Sequence, residues 1–269
     1  MLRLRLEPGS ALAGEAEACR ERLRELDLAA GGETELVLNF SSRVELCFAG
    51  PEELVRLFPK PFFLDFTRER VLQRLSHSSR AAEPLCRAVL GKHKHPLVYD
   101  ATAGLGRDAL ILQAAGGRVR MFERSPVVWE LLHDALRRAA SSDRVRALLP
   151  LGLPELQPCG SLTEQLPGEV PDVIYYDPMF PPRHKSALVK KELRMLHYIV
   201  GADEDAGAYL PELLQLARYR VVVKRPAGAP QLEGAGVRVS GSAGGRICRF
   251  DIYPASGGTK AVVPHSQDL

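Results

Sequence analysis

Short apolar runs alternate with helical stretches over most of the chain beyond residue 80. The runs Leu97–Tyr99, Val119–Phe122, Val173–Tyr176 and Arg220–Lys224 have the length and composition of strands. Helical spacing of apolar residues lies between them, for example over Ala109–Ala115. Strands that alternate with helices are typical of a parallel sheet with crossover helices. The pattern therefore predicts an α/β, Rossmann-like sheet.

The first 75 residues have a different pattern and predict a small N-terminal α+β subdomain. Glu35–Phe40 and Val44–Phe48 flank a polar turn and predict a β-hairpin. Phe62–Phe66 predicts a third strand, and the spacing of Ala and Leu over Ala13–Leu28 predicts an amphipathic helix.

The main domain is expected to span residues 76–253. Near its end, Val237–Val239 and Ile247–Tyr253 predict a hairpin around the glycine-rich segment Gly241–Gly245, which adds an antiparallel strand to the sheet. Residues 254–269 are rich in Gly, Pro and Ser and predict a loose C-terminal tail.

Composition narrows the class of protein. The chain has 269 residues, of which 45% are hydrophobic and 26% charged, as in soluble globular proteins. No apolar run approaches the roughly 20 residues of a membrane helix. The five cysteines form no Cys-x-x-Cys pair, which argues against disulfides or zinc and indicates a reducing, cytoplasmic location. We therefore expect no metal and no membrane partner, and the net charge of +3 does not by itself indicate nucleic-acid binding.

A glycine turn follows the first strand of the predicted sheet. Asp100 begins it, and Gly104 and Gly106 allow a ligand to approach the backbone at the positive end of a helix. Glu123 ends the next strand, 23 residues after Asp100, where a carboxylate can hold two ribose hydroxyls. The turn by itself is equally compatible with a nicotinamide-binding oxidoreductase or a simple strand–helix connection.

A second motif, Asp177–Phe180, follows the buried strand Val173–Tyr176. The Asp177 carboxylate and a carbonyl before or at Pro178 can accept hydrogen bonds from an exocyclic amine, and the proline fixes their direction. The Phe180 ring can stack on the base that carries the amine. This is the logic of the Asp/Asn-Pro-Pro-Phe/Tyr motif of amino-group methyltransferases, although a strand that ends in an Asx-type turn would look the same.

The two motifs together favour a methyltransferase. In an open α/β sheet both would lie at the carboxyl ends of neighbouring strands, where ligands bind. An oxidoreductase would leave Asp177–Phe180 unexplained, and a non-catalytic RNA-binding module would not need an intact turn and an intact motif.

From Leu36 to Tyr253 the chain resembles the bacterial ribosomal RNA small subunit methyltransferase J family. The matching segments are Asp100–Ala109, Arg118–Arg124, Asp177–Pro181, Lys185–Glu192, Val221–Pro226 and Arg249–Tyr253. The resemblance implies a Rossmann-like class I fold that uses S-adenosylmethionine. It also implies methyl transfer to the N2 amine of a guanosine in 16S rRNA, with that RNA or the small ribosomal subunit as partner. Adenine N6 of DNA or RNA, or a protein glutamine, is the alternative amine.

The resemblance also assigns cofactor contacts. Carried over by position, they fall on Arg107, Asp108, Glu123, Arg124, Ser161 and Asp177. The family often has two serines where this chain has Gly160 and Ser161, so Gly160 can offer only its backbone. Gly104 belongs to the same predicted site. Asp100 either fixes the turn by accepting backbone N–H groups or meets the methionine amine of the cofactor.

Basic residues follow the second motif directly. Lys185, Lys190 and Lys191 could contact phosphates that flank the target base, although such a run can also be a solvated helix face. Lys224 and Arg225 end the fifth strand near the same rim.

Overall fold

The computed structural model describes residues 2–6, 10–25, 35–165, 168–179, 191–201, 206–232, 236–244 and 247–256. Phe180, Lys185 and Lys190, which the sequence analysis singled out, lie outside these residues. None of the helices in the described ranges is both long and apolar enough to cross a bilayer.

The N-terminal segment forms a three-stranded sheet. Its elements are β1 (Leu2–Leu6), α1 (Ala13–Glu25), β2 (Glu35–Phe40) and β3 (Val44–Gly50). β1 runs parallel to β2, and β2 and β3 form the predicted antiparallel hairpin. Parallel pairing of β1 with β2 requires a crossover, which α1 provides.

The predicted strand at Phe62–Phe66 is wrong. Only Phe62 bridges to Leu46, and the chain then turns. The Asp65 carboxylate accepts hydrogen bonds from the backbone N–H of Thr67 at 3.0 Å and from its hydroxyl at 2.7 Å. An aspartate that bonds two residues ahead gives the backbone an alternative to strand pairing.

The rest of the chain builds a seven-stranded sheet with helices on both faces. Its strands are β4 (Leu97–Asp100), β5 (Arg118–Met121), β6 (Glu155–Leu156), β7 (Val173–Tyr176), β8 (Arg220–Pro226), β9 (Gly241–Gly244) and β10 (Cys248–Pro254). The helices are α2 (Glu52–Leu57), α3 (Glu69–Ser76), α4 (Pro84–Leu90), α5 (Arg107–Ala114), α6 (Pro126–Ala140), α7 (Asp143–Leu148), α8 (Lys191–Val200) and α9 (Ala206–Leu216).

The strand order is β6-β5-β4-β7-β8-β10-β9, with β4 to β8 parallel and β10 antiparallel to β8. This confirms the predicted Rossmann-like class. β4 and β7 are buried at every position, as expected for central parallel strands that are covered on both faces.

The predicted C-terminal hairpin is real, but its first arm was wrong. Gly241–Gly244, predicted as the turn, is the strand β9, whereas Val237–Val239 precedes it without regular structure. Glycine permits this close pairing, because a Cβ on Gly244 would lie 2.5 Å from Cα of Arg249. Val237 and Val239 still pack against the apolar core, which explains their apolar character.

The cores of the two sheets are continuous. Leu38 and Phe40 of β2 belong to the same buried cluster as Leu110 of α5 and Val222 of β8. The other face of the central sheet has its own cluster, built around Tyr99, Ile174, Val223 and their neighbours. The predicted domain boundary after residue 75 falls in the last turn of α3 and stays a prediction.

A buried ion pair joins α1 to α6. Glu130 is only 2% exposed, and its carboxylate accepts a 2.9 Å hydrogen bond from Nε of Arg22 and a second one from the same guanidinium. The Arg22 guanidinium also lies 4.6 Å from the centre of the Trp129 ring. Burial raises the pKa of Glu130 in spite of the opposing effect of Arg22. The pair therefore joins the N-terminal segment to the main sheet. The buried Glu130 carboxylate depends on the Arg22 guanidinium for compensation of its charge.

We expect Arg22→Ala to lower the free energy of unfolding by about 3 kcal/mol, because it leaves a buried carboxylate without its cation. The loss should shrink as the pH falls from 8 to 5, since the orphaned carboxyl can then bind a proton. Arg20→Ala is the matched control: it breaks an exposed pair with Glu17 on the same helix and should cost less than about 1 kcal/mol. Urea unfolding of both variants at the two pH values measures this, and equal losses would contradict it.

Candidate functional site

The site lies where the strand order reverses. From β4 the chain continues on one side to β5 and later returns to the other side as β7, so the carboxyl ends of β4 and β7 border a crevice. Crevices at such switch points are the usual ligand sites of open α/β sheets. The predicted glycine turn follows β4, and the predicted amine motif follows β7.

Hydrogen bonds tie these strand ends together. The backbone N–H of Asp177 donates to the Thr102 hydroxyl at 2.7 Å, and that of Ala103 donates to the Phe122 carbonyl at 2.9 Å. Gly106 has φ +69°, and a Cβ there would lie 2.6 Å from Cδ1 of Leu132. Glycine is therefore required both by the backbone conformation and by the close approach of α6.

Glu123 lies at the end of β5 and is 7% exposed. Its carboxylate accepts hydrogen bonds from the backbone N–H of Gly104 at 2.8 Å and of Ser125 at 2.7 Å. The two bonds orient Glu123 beside the glycine turn, where the sequence predicts a ribose-binding acid.

A loop after β6 completes this side of the crevice. The backbone N–H of buried Gly160 donates to the Glu123 carbonyl at 3.0 Å, and that of Ser161 donates to the Glu164 carboxylate at 2.9 Å. The bonds from Ser161 lower the pKa of Glu164. A Cβ on Gly160 would lie 2.2 Å from Nε2 of Gln165, which donates to the Cys159 carbonyl. Gln165 thus occupies the space that a serine at position 160 would need.

Two acids, Asp108 of α5 and Asp177 directly after β7, share Lys224 of β8. Nζ of Lys224 lies 2.8 Å from Oδ2 of Asp177 and 2.8 Å from Oδ2 of Asp108. The Tyr175 hydroxyl donates to the same Asp108 oxygen at 2.7 Å. Asp108 was predicted to contact the cofactor; in the structure it is part of this cluster.

The charges in the cluster stabilise each other. Burial lowers the pKa of Lys224 by itself, but the carboxylates of Asp177 and Asp108 outweigh burial and raise it. Burial also disfavours ionised Asp108, yet the Lys224 ammonium and the Tyr175 hydroxyl hold its pKa below the usual value. Tyr175, buried beside three acids, has a pKa well above the usual value.

Asp100 is a third acid next to this cluster. It is 1% exposed, and its Oδ1 accepts a hydrogen bond from the backbone N–H of Thr102 at 3.2 Å. This bond corresponds to the first of the two predicted roles of Asp100, that of fixing the turn. Burial, and then the charge of Asp108, raise its pKa well above the usual value.

The remaining predicted residues are spread around the crevice. Arg107 starts α5 and forms a 2.7 Å ion pair with Glu192 of α8. Arg124 is exposed, and its carbonyl accepts from the Cys159 thiol at 3.7 Å. Pro178 is buried directly after Asp177. Lys191 is the first residue of α8, but its side chain lies outside the described part of the chain.

Sequence reasoning missed the roles of Lys224 and Tyr175. Two signals could have found them. Lys224 directly follows the valine run Val221–Val223, one residue beyond the last pairing of β8 with β7. A tyrosine in a buried strand, such as Tyr175, needs a hydrogen-bond partner. Thr102, which accepts from Asp177, carries no such signal. Within the described ranges no group of His, Cys, Asp and Glu is arranged to hold a metal ion.

Comparisons with known proteins agree with this geometry. Residues 31–255 match the family model described as "Putative SAM-dependent methyltransferase". A crystal structure of a SAM-dependent methyltransferase from Neisseria gonorrhoeae superposes with a TM-score of 0.67 at 28% identity, over 98% of this chain and 100% of that one.

Curated relatives cover nearly the whole chain. Ribosomal RNA small subunit methyltransferase J of Dechloromonas aromatica is 40% identical over 91% of this chain and 97% of its own length. The protein of that name from Thioalkalivibrio sulfidiphilus is 41% identical over 88% of this chain and 94% of its own. The oxidoreductase alternative is not favoured by any of these matches. The chain belongs to the ribosomal RNA small subunit methyltransferase J family and is an S-adenosylmethionine-dependent methyltransferase.

Proposed function

We propose that this protein methylates the N2 amine of a guanosine in 16S rRNA, with Asp177 as the group that accepts and aims the amine. The observation that carries the proposal is the position of Asp177. Its backbone N–H donates to the hydroxyl of Thr102 within the glycine turn, so the predicted amine motif and the predicted cofactor turn border the same crevice.

The residues of the crevice fit the cofactor. Gly104 and Gly106, both with positive φ, keep the turn free of side chains, and Glu123 is oriented for ribose hydroxyls. The Lys224 ammonium contacts two carboxylates, those of Asp108 and Asp177, and a third acid, Asp100, lies close enough to interact with them electrostatically. This excess of acid suits a ligand that carries a sulfonium and an amine. S-adenosylmethionine supplies an electrophilic methyl group on that sulfonium.

The chain's own contribution to transfer is positioning and polarity. The lone pair of guanine N2 is delocalised into the ring. Hydrogen bonds from the amine to the Asp177 carboxylate and to a carbonyl before or at Pro178 favour a more tetrahedral nitrogen with its lone pair directed at the methyl group. Asp177 need not be a strong base, because the amine can lose its proton after transfer. Phe180, outside the described residues, remains the predicted stacking partner.

The nucleic acid must present an unpaired base. A guanine N2 inside a helix cannot reach the crevice, so the target is single-stranded or extruded. The predicted phosphate contacts, Lys185, Lys190 and Lys191, follow Asp177 closely in sequence and suit this geometry.

Mapping of methylated nucleosides in 16S rRNA from a deletion strain tests the function. One N2-methylguanosine should disappear and return with the wild-type gene. Purified protein with labelled cofactor should then modify the same nucleotide in naked 16S rRNA or in small subunits from that strain. Loss of an N6-methyladenosine instead, or of no nucleoside, would contradict the proposal.

Glu123→Ala should weaken binding of S-adenosylhomocysteine by about 1–3 kcal/mol, because it removes hydrogen bonds to a charged group. It should also lower the melting temperature, since Gly104 and Ser125 lose their acceptor. Glu155→Ala is the control: this acid belongs to the same sheet but forms an exposed pair with Arg120. Calorimetric affinities that are equal in the two variants would argue against a cofactor role for Glu123.

Asp177→Asn should keep part of the turnover, because the amide retains one acceptor oxygen. Asp177→Ala should lose on the order of 10²-fold or more, since the amine is no longer aimed. Affinity for S-adenosylhomocysteine should fall less than turnover in both. Single-turnover methylation with circular dichroism as the fold check measures this; a folded Ala variant with near-normal turnover would exclude Asp177 as the amine acceptor.

Joint replacement of Lys185, Lys190 and Lys191 by Ala should raise the KM for RNA and flatten its dependence on salt, because phosphate contacts release counterions. Cofactor affinity should stay unchanged. The salt series is compared with that of a control in which the exposed Lys92 and Lys94, before β4, are replaced. Equal salt slopes in the wild type and the triple variant would mean that the three lysines are solvated and do not contact phosphates.

A further inference from the structure

The ammonium of Lys224 connects three elements at the crevice. It donates to Asp177 after β7 and to Asp108 in the first turn of α5, both at 2.8 Å. Tyr175 and Lys224 lie on the same face of the sheet, because Tyr175 pairs with Val222 and side chains alternate along each strand. Asp177 follows two residues after Tyr175 and therefore belongs to that face as well.

Lysine suits this position better than arginine. An ammonium is a compact charge with three donors that can point to separate acceptors, whereas a guanidinium prefers one planar carboxylate. Arg22, by contrast, directs its guanidinium to the single carboxylate of Glu130. The Lys224 ammonium donates to one acid on each side, and the Tyr175 hydroxyl donates to Asp108 as well.

Without this cation the acids would face each other. Asp100, Asp108 and Asp177 come from β4, α5 and the end of β7 and act on one another electrostatically. In the described part of the chain, Arg74 of α3 lowers the pKa of Asp108, and the thiols of Cys86 and Cys248 also interact electrostatically with that acid. Carboxyls in such proximity tend to take up a proton, and a protonated carboxyl is a poorer acceptor for an amine.

We propose that Lys224 is a positioning residue for methyl transfer: anchored by Asp108, whose carboxylate also accepts from the Tyr175 hydroxyl, it keeps the Asp177 carboxylate ionised and oriented toward the target amine. This inference rests on the proposed role of Asp177. It gives Asp108 a purpose at the centre of the site, as the acid that holds the ammonium. It also explains why a lysine ends the buried valine run of β8.

The direct test is the titration of the Asp177 carboxyl in the full chain, followed by carbon NMR with labelled aspartate and assigned with Asp177→Asn. In Lys224→Met, which keeps the length of the side chain without its charge, this titration should move up by about one pH unit or more. Arg225→Met is the matched control. Arg225 is a buried cation of the same strand that donates to the Pro230 carbonyl, and its loss should leave the titration in place.

Single-turnover methylation of unmodified small subunits gives the second readout. The acid limb of the rate–pH profile should move up in Lys224→Met, and the rate at pH 7 should fall roughly tenfold or more. Affinity for S-adenosylhomocysteine should fall less than the rate. A purely structural lysine would lower the melting temperature without moving the titration or the acid limb.

An unchanged titration in folded Lys224→Met would overturn the proposal, and so would a shifted titration with wild-type turnover. If Lys224→Met does not fold, Lys224→Gln takes its place, because it also removes the charge but keeps a donor for the two carboxylates. It should shift the titration in the same direction, and no shift there would also overturn the proposal. The NMR titration needs no RNA. If the Asp177 titration shifts in Lys224→Met but the wild-type protein does not methylate rRNA, the proposed function is rejected while the effect of Lys224 on Asp177 stands.

Discussion

Parallel pairing of β4 with β7 brings together segments that are 75 residues apart in the chain. Thr102, two residues beyond β4, accepts the backbone N–H of Asp177, one residue beyond β7. Since β5 lies on the other side of β4, Glu123 reaches the same edge. The proposed cofactor site and the proposed amine site then share one crevice without any long loop to connect them. The order of the strands, more than any single side chain, makes transfer between two ligands geometrically possible.

Acidic groups dominate this crevice, and each buried carboxyl group is stabilised in a different way. The Glu123 carboxylate accepts hydrogen bonds from backbone N–H groups. Asp100 accepts one backbone N–H, and its raised pKa favours the neutral form. Asp108 is bonded by Lys224 and Tyr175. Each solution tolerates a carboxyl in a low-dielectric setting, where an isolated charge would be costly. The result is an environment suited to a cationic cofactor and to an amine that must donate hydrogen bonds.

The N-terminal segment supports the side of the crevice formed by β5 and the loop after β6. Arg22 of α1 bonds the buried Glu130 and stacks on Trp129, and the indole N–H donates to the Gln157 carbonyl at 2.8 Å. Gln157 lies three residues before Gly160 in the loop after β6. Because the core is also continuous with β2, the N-terminal sheet contributes to the packing of the methyltransferase sheet.

The sequence by itself determined the class of fold and the edge of the sheet at which the predicted site residues lie. Buried strands, glycine turns and a proline after an acid are local patterns, and local patterns can be read from neighbours in the chain. The errors also have local causes. Phe62–Phe66 has the composition of a strand, but the hydrogen bond from Thr67 to the Asp65 side chain favours a turn. Gly241–Gly244 has the composition of a turn, but it pairs closely with β10 and forms a strand. Only the tertiary structure decided that Lys224 joins Asp108 to Asp177. Lys224 is separated from them by 116 and 47 positions, and no pattern along the chain shows which acids a half-buried cation will contact.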